Sequence, residues 1–162
     1  MRIYWTNHLE QGNLGLMARP KGNDWLFDEI RTLKIYETDI LVSLLEQSEQ
    51  AELELQNEQS ICHELSIKFI SFPIKDRSVP TNNQAFRTLV EELNNELEQG
   101  QKIIIHCRMG IGRTGMLAAG ILMQHGYDAN SAFELLSKVR TMNVPDTEEQ
   151  AEWVKNTLYN KH

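Results

Sequence analysis

The sequence predicts an α/β fold with a central, mainly parallel sheet of about five strands flanked by helices. Three observations predict it. Short apolar runs alternate with amphipathic helical stripes along the chain, the order that builds parallel sheets. Two runs, "DILVSLL" and "KIIIH", are apolar almost throughout, as strands are when helices cover both faces of their sheet. The chain has 162 residues, 41% hydrophobic and 24% charged, which suits one globular domain over 1–162 with a core of its own.

Taken in order, "RIYWT" (2–6) and "LGLMA" (14–18) read as a hairpin, with Asn7 and the pair Gly12-Asn13 as turn signals. From Asp24 a helix places Leu26, Phe27, Ile30 and Leu33 on one side, capped by Asn23 or Asp24. "DILVSLL" (39–45) is a strand buried on both faces. Residues 46–65, rich in Glu and Gln with sparse leucines, suit one or two exposed helical turns, and "IKFISF" (67–72) is the next strand. "PIKDRSVP" (73–80) is a loop. Thr81 and Gln84 have capping-box spacing ahead of a stripe of Ala85, Phe86, Leu89, Val90, Leu93 and Leu97 that Gly100 ends. "KIIIH" is the central strand, and "RTGMLAAGILMQH" is apolar all round, a helix buried by its neighbours and stopped by Gly126. Two helices follow, near 130–141 and 146–159, the second opened by Asp146 with Glu149 three places on.

A net charge of −7 argues against a protein that coats nucleic acid, which needs basic surface to displace counterions from phosphates. The first twenty residues lack the unbroken apolar stretch of a signal peptide, and no apolar run approaches the roughly 18 residues of a membrane span. Two cysteines, Cys62 and Cys107, are too few for a disulfide scaffold and lack zinc-site spacing. The expectation is therefore a cytoplasmic protein without membrane insertion, nucleic-acid partner, metal or other cofactor.

The chemistry concentrates in "IIIHCRMGIGRTGMLAAG" (103–120), where a strand meets a helix. Gly110, Gly112 and Gly115 spell a dinucleotide fingerprint, yet no second parallel strand with an acidic residue follows; "NSAFELLSKVR" has helical spacing instead. A nucleotide-triphosphate loop is also excluded, because no Gly-Lys-Ser/Thr follows the glycines. The same residues make a seat for one phosphate. Glycines let the amides of Arg108, Met109, Gly110, Ile111 and Gly112 turn inward, and the helix start near Arg113 adds its positive end. Cys107 sits at the rim, in a field that favours thiolate over thiol. Arg113 carries a planar fork that binds two phosphoryl oxygens together.

"HCRMGIGRTG" resembles the His-Cys-x5-Arg-Ser/Thr signature of the cysteine-dependent protein tyrosine phosphatases, dual-specificity members included. With "DILVSLL" and "FPIKDRSVP", the chain from about Trp25 to Trp153 looks like the kinase-associated phosphatase branch of the small dual-specificity enzymes. The resemblance implies a phosphotyrosine-protein-phosphatase-like fold and a phosphorylated protein or peptide as substrate. Cys107 is then the nucleophile, Arg113 the phosphate ligand, and Asp76 the proton donor and later acceptor. Thr114 would assist departure of the sulfur, and His106 would orient the loop. Two departures stand out: the acid loop has no Trp-Pro-Asp tripeptide, and the length leaves no room for the insertion that deepens the phosphotyrosine pocket in larger relatives. At position 143, where similar sequences often carry a second arginine after one at 140, the chain has Asn143.

Several readings stay open in the sequence. Arg108 and Arg77 either face substrate or are exposed surface. Glu149 and Gln150 either line the site or cap a helix. Cys62 either packs or pairs with Cys107 on oxidation. Two rival functions remain beside the protein phosphatase: an inositide or small-ester phosphatase, for which Arg108 is the only extra loop charge, and a phosphate-binding module without turnover.

Overall fold

A computed structural model describes residues 1–158. Five strands, β1 (Tyr4–Trp5), β2 (Asn13–Met17), β3 (Ile40–Ser43), β4 (Lys68–Ser71) and β5 (Lys102–His106), form one sheet in the order β1-β2-β5-β3-β4. Every neighbouring pair is parallel except β1 with β2, the antiparallel hairpin read from the sequence. β5, with Ile103–Ile105 fully buried, lies in the middle, where a strand without exposed faces belongs. In register, His106 stands opposite Met17 on one side and Ser43 on the other. The carboxyl ends of β2, β5 and β3 therefore finish level, the edge at which open α/β sheets place ligands.

Among the described residues, seven α-helices cover the sheet: α1 (Leu26–Ile35), α2 (Gln47–Glu52), α3 (Glu58–Glu64), α4 (Asn83–Glu98), α5 (Gly112–Met123), α6 (Ala129–Arg140) and α7 (Glu148–Thr157). Alternation along β5 divides the core in two. Ile103 and Ile105 join Cys107 and the apolar sides of α4 to α7, whereas Ile104 joins Leu26, Ile30, Leu33, Leu55 and Cys62 under α1 to α3. Every residue of α5 is buried, which explains its lack of a polar side. Among the described residues, no helix is long and apolar enough to cross a membrane.

The helix starts differ from the sequence reading. Neither Asn23 nor Asp24 caps α1: a short 3-10 turn over Asn23–Trp25 precedes it, with Trp25 as a cap residue that makes no side-chain bond. Phe27 is exposed, so the inward side of α1 is Leu26, Ile30 and Leu33 alone. α4 is capped by Asn82, whose side chain accepts from Ala85 N–H, one residue after the Thr81 box that spacing predicts. α7 is capped by Thr147 in a reciprocal box with Gln150, because Asp146 is engaged by Arg77 instead. Residue 159, assigned to this helix by the sequence pattern, lies outside the described residues.

The segment 46–65 departs furthest. It forms two helices, α2 and α3, and they are not simply exposed: Glu49 and Glu58 are buried. Both carboxylates point to the site.

Candidate active site

β5 ends at His106, and the chain passes through Cys107–Ile111 before α5 begins at Gly112. The carbonyls decide the shape of this loop. His106 O accepts from Leu44 N–H at 3.0 Å, Arg108 O from Arg19 N–H at 3.2 Å and Ile111 O from Gly115 N–H at 3.0 Å. Cys107 O faces His106 Nδ1 at 3.2 Å. Met109 O and Gly110 O accept from Arg140 Nη2 and Nε at 3.0 and 3.1 Å. All six carbonyls from His106 to Ile111 are thus tied into the surrounding protein. In a trans peptide the N–H points opposite to the preceding C=O. The loop amides therefore turn the other way, and the start of α5 adds unpaired N–H groups beside them.

Gly110 is needed for this path: its φ is +73°, and an added Cβ would stand 2.5 Å from Met17 O. Arg140, buried at the end of α6, spans two of the carbonyls while its guanidinium stacks on Tyr4 at 3.9 Å, so the β1 hairpin braces the loop from behind.

Arg113, in the first turn of α5, is 1% exposed. Its Nη1 and Nη2 donate to Glu49 Oε1 and Oε2 at 2.6 and 3.0 Å, a two-pronged pair, and Nη1 also donates to Ile74 O at 2.8 Å. Burial disfavours charge on Glu49, but the hydrogen bond from Arg113, the bond from Glu46 N–H and the Arg113 charge outweigh it and hold the carboxyl below its usual range. Burial works against the Arg113 charge too, and the Glu49 hydrogen bond overcomes it. Glu49 thus fixes the guanidinium plane.

Asp76 comes to the same guanidinium from the loop after β4. Its Oδ1 accepts from Arg113 Nη2 at 3.1 Å, with the Asp76 side chain 52% exposed. Cys107 and Arg113, six residues apart, are joined by the distant Asp76 at the carboxyl edge of the sheet. Thr114 is buried, and its Oγ1 has no hydrogen-bond partner among the described residues. His106 is fully buried and bonds Glu58 Oε2 through Nε2 at 2.6 Å.

The remaining candidates resolve one by one. Arg108 donates to Glu49 Oε2 at 3.3 Å and Glu52 Oε2 at 3.1 Å, so its charge is spent on α2. Arg77 pairs with Asp146 at 2.8 Å, and Asp146 itself packs against Gly112. Gln150 is buried beneath Gly112 and donates to Ser78 O at 3.0 Å, tying α7 to the acid loop, whereas Glu149 is exposed. Cys62 is a free thiol in the opposite core from Cys107; burial, then the Glu58 charge, push it up to about 12. Among the described residues, no cluster of three His, Cys, Asp or Glu side chains could hold a metal.

The profile of the family described as "Polymorphic toxin system, DSP-PTPase phosphatase" matches residues 15–127, well over half of the chain. The chain belongs to this family. It is 41% identical over 63 residues to the 067L protein of Invertebrate iridescent virus 3, which carries a tyrosine phosphatase name; the match covers 37% of this chain and 26% of that one. The chain thus spans only about a quarter of the length of this relative. Among solved structures, a kinase-associated phosphatase with its catalytic-site cysteine replaced by serine superposes with a TM-score of 0.86 at 21% identity, covering 95% of this chain and 92% of that one. PTPMT1 in complex with PI(5)P gives 0.74 at 20% identity, with coverage of 89% and 88%. These likenesses carry the fold, and the expected phosphotyrosine-protein-phosphatase-like architecture is present.

Two residues at the site escape sequence reasoning, and so does the part that Arg140 plays in holding the loop carbonyls. Glu49 and Glu58 sit in a stretch whose composition reads as surface, and nothing in their spacing sets them apart from Glu46, Glu52 or Glu54. Arg140 stands at a helix end, where a basic residue is ordinary.

Proposed function

We propose that this domain is a protein phosphatase that hydrolyses phosphotyrosine, with phosphoserine and phosphothreonine as further substrates, through a phosphocysteine intermediate. The observation that carries it is the accounting of the loop carbonyls: six turned outward leave the amides around Cys107 to receive three phosphoryl oxygens, above a guanidinium held flat by Glu49. In the first step the Cys107 thiolate attacks phosphorus, the ester P–O bond breaks, and Asp76 gives its proton to the departing oxygen. Arg113 and the amides take the charge that spreads onto the equatorial oxygens. In the second step water attacks the same phosphorus, its proton passes to Asp76, and the S–P bond breaks to return thiolate and release inorganic phosphate. Thr114 Oγ1, without another partner among the described residues, donates to the leaving sulfur.

The inositide alternative has less support, because Arg108, the only extra loop cation, is paired with Glu49 and Glu52. Turnover of p-nitrophenyl phosphate in a chelator, blocked by orthovanadate and abolished in Cys107→Ser, is the expected result. Undiminished turnover by Cys107→Ser would remove the assignment. A phosphopeptide panel set beside inositides and sugar phosphates ranks the substrate classes, and preference for an inositide over every phosphopeptide would overturn the substrate assignment.

A further inference from the structure

The geometry points to Glu58 as a positioning residue for the nucleophile, acting through the His106 ring on the Cys107 carbonyl; this rests on the reading of Cys107 given above. Both ring nitrogens of His106 face oxygens: Nε2 meets Glu58 Oε2 at 2.6 Å, and Nδ1 meets Cys107 O at 3.2 Å. His106 is 0% and Glu58 2% exposed, so water replaces neither partner. A carbonyl only accepts, and an isolated neutral imidazole is free to carry its proton on either nitrogen. With Glu58 in place that freedom is gone. Whether the pair is imidazolium with carboxylate or imidazole with carboxylic acid, Nε2 is satisfied by Glu58 and Nδ1 keeps its hydrogen for the carbonyl.

That hydrogen holds the Cys107 peptide with its oxygen to the rear and so turns Arg108 N–H forward. It is the one carbonyl of the six held by a side chain whose protonation is open to change. Charged and titratable groups around the pair come from three sides: Cys62 on α3, Cys107 itself, and Arg113 on α5, which Glu49 neutralises. β2 and β3 present the uncharged Met17 and Ser43 beside His106. Burial opposes charge on His106, as does Arg113, yet the charge and hydrogen bond of Glu58 raise its pKa. The second oxygen of Glu58, Oε1, has no hydrogen-bond partner among the described residues.

The test separates hydrogen bonding from bulk. Glu58→Met keeps the volume and removes the partner of Nε2, and Glu58→Gln keeps an N–H that restores it. In Glu58→Met the pH midpoint of Cys107 alkylation by iodoacetamide, counted on the Cys107 peptide by mass spectrometry, is expected to rise by about one unit. The same variant should lose about tenfold in kcat at neutral pH with KM within about twofold, and Glu58→Gln should stay within about threefold of the parent. An unmoved midpoint in Glu58→Met, or a Glu58→Gln as impaired as Glu58→Met, would overturn the proposal. One measurement needs no variant: the 15N resonance of His106 Nδ1 should remain that of a protonated nitrogen across the active pH range, and a bare Nδ1 at neutral pH would equally overturn it. Turnover by Cys107→Ser would instead strike the nucleophile assignment and leave the ring-nitrogen result readable.

Discussion

The loop from Cys107 to Ile111 and the loop from Pro73 to Pro80 meet at Arg113, but they are held in opposite ways. The first is fastened at every carbonyl, by His106 at the end of β5, Arg19 just after β2, Gly115 of α5 and Arg140 of α6. The second is anchored at its base, where Ile74 is buried and bonded to Leu44 O through its N–H and to Arg113 through its carbonyl, and again at Ser78 through Gln150. Between those points Asp76 is half exposed, and its one described partner is Arg113 Nη2. The contrast follows the work proposed for each. Amides that stabilise a charged transition state lose their value if they must reorganise, so they are locked beforehand. A carboxyl that serves a leaving oxygen in one step and water in the next needs room to move.

Breaking the rigid half should cost most. Arg113→Lys removes the planar fork from both the phosphoryl group and Glu49, and kcat/KM is expected to fall by about 10³-fold or more in aryl-phosphate assays. Asp76→Asn touches the half-exposed acid: a loss of about 10²- to 10³-fold is expected for alkyl phosphates with poor leaving groups and little for p-nitrophenyl phosphate, so equal slowing of both would remove Asp76 as the acid.

Gly110→Ala sharpens the comparison, since its Cβ would press on Met17 O at a positive φ; a loss of about tenfold or more in kcat with about 1–2 kcal/mol of stability is expected from activity and denaturant titration. Glu49→Gln leaves the Arg113 charge without its buried counterion, at about 3 kcal/mol of stability. The Glu49 carboxyl is held low in the folded protein, so its contribution is fully present above the unfolded pKa and is lost as pH falls through the folded one. The Tm gap between parent and Glu49→Gln should therefore close in acid below about pH 4. The smallest effect belongs to Arg77→Ala, whose ion pair with Asp146 is largely exposed: kcat should change by less than about threefold, and Tm hardly at all.

Much of this was legible in the chain itself. Continuous apolar runs and period-3.6 stripes located the strands and long helices, because a strand covered on both faces buries every residue and a helix buries one side, and Cys107, Arg113 and the glycines fall in one continuous run whose geometry is local. Caps were misplaced by a residue or more at α1, α4 and α7, since several polar residues stand near each start and only packing selects which one turns inward. Asp146 illustrates the point: its spacing suits a helix start, yet Arg77, far away in sequence, claims its side chain.

The sequence by itself determined the sheet, the helices around it and the position of the loop proposed to seat phosphate, because those depend on chain-local sterics and on where apolar residues recur. Only the tertiary structure decided that Glu49 and Glu58, similar in sequence to the exposed glutamates beside them, are the carboxylates that hold Arg113 and His106. The physical reason is that a buried charge is tolerated only where a partner from elsewhere in the chain meets it, and such a meeting is a property of the folded arrangement.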